Sequence, residues 1–598
     1  MGVGTEPDRS LRCRQSFPAL TIAVNNVVVA QRLNEIASLM EFDGEPFFKI
    51  KAYERAARSL EDSQTPVEEL LRTGQLSELA GVGKAISQKI ADIVATGSCA
   101  YLDDLRAKFP STILELLAVP GIGAKTAVAL YRELGVSGLA DLRAAIDSGA
   151  IATVPRLGPK TIENLKARLE RMATQPKRMR LGDAWPIARG IVAALISLPS
   201  AKNVVVAGSL RRMERSVRDL DVICTSTEPE SVLEAFIAMP IVERVSARGT
   251  TKATIWAAPG ISVDCRVVAH ECFGNLLQHF TGNKEHNVLL REYAQRKRLK
   301  VSEYGIEDEH GTVVTCAEEA QVYATLGLQY IPPELRLGLD EIELARRNAV
   351  PTLVDLNDIR GDLHDHTDWS DGHYSIEQMA RAAAARKREY LSISDHSLGR
   401  AVANGLSVER LREQTAIVSS VRDAYGVHLL TSSEVDIRAD GSLDFPDEVL
   451  AELDVVVASI HSSFRSSPEQ QTKRLLRAIE NPYVTIIGHP TGELINEREG
   501  YQFDVDAVFR AAARTGTALE INANPARLDL SADLARHARE LGCTIAIDTD
   551  AHYLDDMDNM LFGVATARKA GLTKEQVLNT RPLPDVLRFV QTKRERQA

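Results

Sequence analysis

Residues 361–372 read "GDLHDHTDWSDG". His364 and His366 stand one residue apart, and Asp371 follows five residues after the second. A lone histidine is more often a satisfied core or surface residue than a ligand, so the pair gains weight only from what lies downstream. His396 follows the run "EYLSISD", Glu434 follows "HLLTSS", His461 follows "DVVVASI", His489 follows "VTIIG", and Asp550 and His552 follow "TIAIDT". Each candidate falls just beyond a short apolar β-type run. Amphipathic helical stretches such as "SIEQMARAAAARKRE", "SPEQQTKRLLRAIE" and "SADLARHARELG" lie between the runs. That alternation predicts a parallel α/β sheet closed as a barrel, whose strand ends converge on one face.

The set comprises six histidines, two aspartates and one glutamate. Nine ligands are too many for one ion and enough for three. Mixed imidazole and carboxylate ligation suits Mn²⁺, Zn²⁺ or Fe²⁺ more than Mg²⁺ alone. Such a cluster lowers the pKa of a bound water toward neutrality and neutralises a phosphate under attack, so the expected reaction is phosphoester hydrolysis.

Working upstream, "VVVAGSLRR" (204–212) reads as a buried strand ending at Gly208 and Ser209, with Arg212 close behind. Backbone donors there, Ser209 and Arg212 suit a polyphosphate, because arginine grips phosphate bidentately. In "RDLDVICTS" Asp219 and Asp221 share one face, since strand side chains alternate. Asp264 in "ISVDCRVV" supplies a third acid. Three facing carboxylates suit Mg²⁺ or Mn²⁺ ions that clamp the attacking and leaving oxygens of a phosphoryl transfer. Asp219 and Asp221 alone would be solvated residues beginning a strand; Gly208 and Asp264 shift the balance.

Further upstream the chain reads as helices, with a repeated element. "LAGVGKAISQKI" (79–90), "AVPGIGAKTAVAL" (118–130) and "TVPRLGPKTIENL" (153–165) each enter a helix through a glycine-bearing turn. This helix-hairpin-helix pattern lets backbone N–H groups approach a DNA phosphate. Gly81 and Gly83 serve the first copy and Gly121 and Gly123 the second. The third carries Arg156 in place of the first glycine. An ordinary αα-turn is the alternative for any single copy.

The 598 residues are too many for one core and imply several domains. Seven scattered cysteines with no Cys-x-x-Cys spacing exclude a cysteine zinc site and a disulfide framework. The same cysteine pattern argues for a reducing cytoplasm, and no apolar run approaches the roughly 18 residues that span a bilayer, so no membrane contact is expected; a nucleoid-associated monomer is the accompanying expectation. The net charge of −11 is uneven: residues 26–180 carry 21 Lys and Arg against 19 Asp and Glu. All 13 histidines lie after residue 269, and nine of them fall in the last 235 residues.

With these motifs in place, residues 26–335 resemble a family X DNA polymerase, the group that includes vertebrate DNA polymerase beta; "FFKIKAYERAA" and "HFTGNKEHN" (279–287) carry the likeness. The resemblance implies metal ligation by Asp219, Asp221 and Asp264, and triphosphate binding by Gly208, Ser209 and Arg212. It implies a sugar pocket shaped by Phe280 and Gly282, with Asn287 against the base. Lys89 matches the Schiff-base lysine of the lyase members, and a surface lysine on a helix is the alternative. The chain departs from the family pattern at Arg218, His279 and Asn283. Arg218 stands where a glycine is usual, beside the triphosphate's approach.

Residues 358–598 resemble the PHP (polymerase and histidinol phosphatase) domain, with every motif present. That likeness implies a distorted (β/α)7 barrel. One ion would see His364, His366, Glu434 and Asp550; a second would share Glu434 with His461 and His489. A third would take Asp371, His396 and His552.

The order resembles bacterial or archaeal PolX. The expected domains are a leader (1–25), a lyase-like helical domain (26–100), a fingers-like helical domain (101–181), nucleotidyltransferase palm and thumb (182–335), a linker (336–357) and the barrel (358–598). The expected activity is templated addition of dNTPs at gapped or nicked double-stranded DNA, coupled to a 3′–5′ exonuclease, with AP endonuclease activity a further implication. Three alternatives stand beside it: a small-molecule phosphatase, a DNA-end nuclease with a weakened polymerase half, and a non-catalytic DNA-end scaffold.

Overall fold

A computed structural model describes residues 26–597 apart from 62–66, 80, 111, 120–121, 155–156, 175–177 and 400–402. The leader, Gly121 and Arg156 therefore lie outside the described residues. The chain divides into two compact units, which part between residues 177 and 178.

Among its described residues the first unit forms helices joined by turns, with no strand. Helices α1 (Asn26–Asp43), α2 (Phe47–Glu61), α3 (Lys84–Thr96) and α4 (Ala124–Leu134) are among its members. Leu33, Ile90, Leu102, Leu130 and Leu165 belong to one core cluster, so both helical segments read from the sequence share a single apolar interior.

The hairpin turns obey one hydrogen-bond plan. The Ile86 and Ser87 amides donate to the Gly83 carbonyl at 3.0 and 2.9 Å, and those of Thr126 and Ala127 to Gly123 at 2.9 and 3.0 Å. The third copy repeats the plan, with Thr161 and Ile162 donating to Gly158 at 2.9 and 3.0 Å. Gly81 has φ +89°, and a Cβ there would stand 2.9 Å from the Ala56 amide nitrogen. The first hairpin is thereby seated directly on α2. Gly83 and Gly123 cap their helices in extended conformation with open space around them, which leaves the turn backbone accessible.

The second unit holds a five-stranded sheet and a seven-stranded barrel. The sheet strands are β1 (Lys202–Val206), β2 (Asp219–Thr225), β3 (Val242–Arg248), β4 (Lys252–Ala257) and β5 (Ile261–Val268). Their spatial order is β1-β2-β5-β4-β3, and only β2 and β5 run parallel. Burial alternates residue by residue along β5, as a half-covered strand requires. Helix α5 (Leu181–Ile196) covers the sheet, and α6 (Phe273–Thr281) and α7 (Lys284–Arg296) follow it. Residues 336–357, expected as a linker, include the helix Glu341–Arg346. They are pinned by fully buried Arg336, whose guanidinium donates to Glu319 at 2.6 Å.

The barrel strands are β6 (Gly361–Asp365), β7 (Tyr390–Ile393), β8 (His428–Asp436), β9 (Val455–Ser459), β10 (Ile486–Ile487), β11 (Ala518–Asn522) and β12 (Ile545–Asp548). Each pairs in parallel with the next. A parallel bridge between Asp365 and Ala551 brings the first strand back toward the last, so the barrel is nearly closed. Leu363, Leu430, Val457, Ile486, Ala518 and Ala546 fill its interior. Among the described residues no helix is long and apolar enough to cross a membrane.

Sheet and barrel pack together. Ile495, Leu528, Phe562 and Ala565 of the barrel join the apolar core of the sheet. Trp185 meets Phe562 edge-on at 6.3 Å, a geometry worth about 0.5–1.5 kcal/mol beyond area burial. Gly182 of α5 is required by close approach, since a Cβ there would stand 2.5 Å from the Pro525 ring. The ion pairs Arg180–Glu497 at 2.8 Å and Arg215–Glu493 at 2.7 Å flank this contact.

Candidate functional site

The first candidate site lies on the five-stranded sheet. Parallel pairing of β2 with β5 puts Asp221 directly beside Asp264, and Asp219 lies two residues earlier on the same face. Burial pushes the Asp221 carboxyl up to about 6, and the charges of Asp219 and Asp264 push it the same way. Three crowded acids of this kind call for cations.

Lys252 Nζ lies 2.6 Å from Asp264 Oδ2, and the Thr254 hydroxyl donates to Oδ1 at 2.7 Å. Arg218 Nε lies 3.1 Å from Asp219 Oδ2 on an exposed side chain, so the residue that departs from the family pattern pairs with the first acid. Donor set and mutual repulsion fit the oxygen ligation that Mg²⁺ or Mn²⁺ takes.

The loop after β1 is fitted to these acids. Gly208 has φ +61°, and a Cβ there would stand 2.2 Å from Asp221 Oδ2. The Ala207 amide donates to the Asp221 carbonyl at 2.8 Å. Ser209 and Arg212 follow immediately, and the Arg212 guanidinium donates to the Thr281 carbonyl. Gly282 lies over Arg212, its Cβ position 3.3 Å from Nη1. Phe280 is covered by the Arg266 guanidinium at 4.2 Å. The Asn287 amide bridges residues 278 and 279: its oxygen accepts from Gln278 at 2.8 Å and its nitrogen donates to the His279 carbonyl at 2.8 Å. Burial lowers the His279 pKa, which favours the neutral ring.

Behind this loop Arg211 and Arg336 both grip Glu319, at 2.7 and 2.6 Å. Burial alone would raise the Glu319 carboxyl, but the Arg336 and Arg211 guanidiniums hold it well below the usual carboxylate range.

The second candidate site sits at the C-terminal ends of the barrel strands. Glu434 is its hub. One carboxylate oxygen lies 2.9 Å from His489 Nε2, 3.3 Å from His461 Nε2 and 3.6 Å from His364 Nε2. The other lies 2.7 Å from His396 Nδ1 and 3.8 Å from His366 Nε2. Asp550 approaches His366 at 3.1 Å, and Asp371 approaches His552 and His396 at 3.3 and 3.4 Å.

Three groups have ligand atoms close enough for one ion each: His366, Asp371, His396 and His552; His364, His366 and Asp550; and His396, Glu434 and His461. The grouping differs from the one implied by the resemblance: Glu434 is not grouped with His364, His366 and Asp550, and His489 joins none of the three groups although it lies 2.9 Å from Glu434. His366 belongs to two groups, and His396 joins Glu434 as well as Asp371. Buried atoms without hydrogen-bond partners include His364 Nε2, both ring nitrogens of His366, His396 Nδ1 and Glu434 Oε2. Orphaned buried donors and acceptors that converge on one spot fit divalent ions.

Burial opposes charging of His396 and His552. Even so, Glu434 and Asp371 around the first, and Asp371 and Asp550 around the second, raise both to about 9. Metal loading at such a cluster releases protons.

The supporting residues escaped the sequence reading. Glu520 Oε1 lies 2.7 Å from His364 Nδ1, and Asp436 Oδ1 lies 2.6 Å from His461 Nδ1, which fixes both rings. The Asn522 amide donates to Asp550 at 3.0 Å. Arg527 Nε stands 3.9 Å from Asp550 Oδ2, the one Arg or Lys ion-paired with a candidate ligand of the barrel cluster among the described residues. Asp436 ends an apolar β-run as the ligands do, and that was the available signal; Glu520 lies inside its strand Ala518–Asn522 and carries none. Arg527 lies in a loop with no such marker.

In the helical unit Lys89 is half-buried on α3. Its Nζ lies 3.3 Å from the Ala85 carbonyl oxygen and 5.0 Å from the Tyr101 ring centre.

Comparison with known proteins agrees with this layout. A helix-hairpin-helix domain matches residues 24–99, a SAM-like helix-hairpin-helix tandem matches 113–171, and a DNA polymerase beta thumb matches 276–337. Two probable phosphatases, from Thermoanaerobacter sp. (strain X514) and Caldanaerobacter subterraneus subsp. tengcongensis, are 32% and 31% identical. These matches cover 37% and 39% of this chain and 89% and 92% of the relatives. The DNA polymerase/3′–5′ exonuclease PolX of Bacillus subtilis (strain 168) is 39% identical over 566 residues, 94% of this chain and 98% of that protein. The acid triad on the sheet, the histidine cluster on the barrel and this end-to-end match together make the chain a member of the PolX family.

Proposed function

We propose that this chain is a DNA repair polymerase that fills short gaps by templated nucleotide addition and trims 3′ ends by hydrolysis in its barrel. The observation that carries the reading is the registered pair Asp221–Asp264, with the Gly208 backbone pressed against Asp221, in the same unit as the histidine–carboxylate cluster around Glu434. Its substrates are gapped or nicked double-stranded DNA and dNTPs, and it works as a monomer.

On the sheet, Ser209 and Arg212 hold the triphosphate, and Phe280, Gly282 and Asn287 position the sugar and base. Asp264, beside Asp221, faces the primer 3′-OH as that oxygen attacks the α-phosphate and pyrophosphate leaves. On the barrel, Glu434 and the surrounding histidines orient the phosphoester, and Arg527 pairs with a phosphate oxygen. When bound, Mg²⁺ or Mn²⁺ at the triad and up to three Mn²⁺, Zn²⁺ or Fe²⁺ at the cluster neutralise phosphate charge and lower the pKa of water. The exposed hairpin turns at Gly83 and Gly123 contact DNA phosphates.

The phosphatase relatives match only the barrel, which favours small-ester hydrolysis as a second reading of that centre. A 5′-labelled primer on one-nucleotide-gapped DNA with Mn²⁺ tests the first reading. It should lengthen when dNTPs are present and shorten when they are absent. A primer of unchanged length, alongside rapid hydrolysis of nitrophenyl or histidinol phosphate, would transfer the barrel to the second reading.

A further inference from the structure

The segment that follows the nucleotide loop faces the barrel. Arg212, read above as the triphosphate's arginine, has a side chain only 13% exposed, and its buried Nε has no hydrogen-bond partner. Glu214 Oε1 stands 3.5 Å from that Nε, too long for a hydrogen bond of useful strength. The other Glu214 oxygen is in contact with Lys569 Nζ. Lys569 is the last residue of the barrel helix Met560–Lys569 and is itself only 11% exposed. A carboxylate is therefore shared across the interface between an arginine of the sheet and a lysine of the barrel.

The direction of the effect follows from the charges. A glutamate with no second cation would turn wholly onto Arg212 and compete with the triphosphate for its fork. Arginine donates in a fixed planar geometry, so an anion already seated on Nε blocks one edge of it. Lys569 draws Glu214 away and adds a positive charge close behind the anion site. Among the described residues Lys569 is the barrel cation in contact with Glu214.

We propose that Lys569 is a positioning residue of the nucleotide site: by holding Glu214, it keeps Arg212 free for the incoming triphosphate. The barrel is then a structural part of the polymerase centre, in addition to carrying its own. The inference rests on the reading of Arg212 as a triphosphate ligand.

Single-nucleotide extension by the full chain, with equilibrium binding of an α,β-nonhydrolysable dNTP alongside, tests it. Lys569→Gln should raise the KM for dNTP and weaken analogue binding by about threefold to tenfold, with kcat held within about twofold. Adding Glu214→Gln to Lys569→Gln should restore both values, and 3′ shortening without dNTPs should stay unchanged in each variant. An unchanged KM in Lys569→Gln overturns the proposal, and so does a raised KM that Glu214→Gln fails to restore, since that marks a loosened interface instead. Should Lys569→Gln fail to fold, Glu214→Gln alone decides: nucleotide binding equal to or tighter than wild type supports the proposal, and weaker binding overturns it. Arg212→Ala separates the two levels, because an unchanged KM there removes the triphosphate reading and this inference with it.

Discussion

Gly208 combines a left-handed backbone with a carboxylate oxygen 2.2 Å from where a Cβ would stand. Either feature alone disfavours a side chain, and the left-handed conformation costs an L-residue roughly 1–2 kcal/mol. Gly208→Ala should displace Asp221 by a fraction of an ångström and slow primer extension by about a hundredfold. Primer shortening should be untouched, because that loop contributes no ligand to the barrel cluster. Extension at the wild-type rate in this variant would show that the fit of Gly208 to Asp221 is incidental.

At the same scale, the sequence reveals ligands more readily than their supports. His396, His461 and His489 each follow an apolar run, and strand-end position is visible in a linear text. The sharing of His366 between two groups is not, because it depends on where rings from β6 and Asp371 meet in space. Glu520 was passed over because a carboxylate inside "TALEIN" reads as an ordinary strand residue until His364 is seen 2.7 Å away.

Among the elements, the strands with at least one buried face were legible, the barrel strands included, and the exposed one was not. β2, β4 and β5 show apolar alternation. β3, "VERVSAR", is exposed almost throughout and carries no such pattern, so it exists in the sheet without having been expected. The third hairpin was ambiguous for a different reason. Its hydrogen bonds run through Gly158, so the substitution at Arg156 leaves the donor plan intact.

The C-terminal helix Leu583–Gln597 offers an element-scale test. Lys593 on that helix is 2% exposed, and its Nζ donates to the Ile479 carbonyl at 3.0 Å and to the Thr517 hydroxyl, with no carboxylate ion-paired to it among the described residues. Burial lowers its pKa from 10.5 to about 7. Between those two values the unfolded chain binds a proton that the folded chain does not, so stability rises with pH across that window. The gain is about 1.4 kcal/mol per pH unit. Lys593→Met should lose this component, so the Tm of the variant minus that of wild type should fall from pH 7.5 to pH 9. A Tm difference independent of pH would mean that the lysine stays charged in the fold.

At the scale of the whole molecule, two centres of unlike chemistry share one packed unit. Carboxylates beside the Gly208 loop and Arg212 suit nucleotide addition, and imidazoles around Glu434 suit hydrolysis. The contact between them is not a flexible tether. Pro525 lies against Gly182, Arg215 pairs with Glu493, and four apolar barrel residues enter the sheet's core. The sequence marked residues 336–357 as a connector but gave no sign of this interface, because its apolar residues sit singly in loops and on one helix face.

Two centres acting independently on one DNA end form the central claim, and separation of function tests it most directly. The measurement is the length of a 5′-labelled primer on one-nucleotide-gapped DNA with Mn²⁺, for Asp219→Ala and His364→Ala with and without dNTPs. The account predicts that Asp219→Ala abolishes lengthening and keeps shortening, while His364→Ala does the reverse. Loss of both directions in either variant would contradict it.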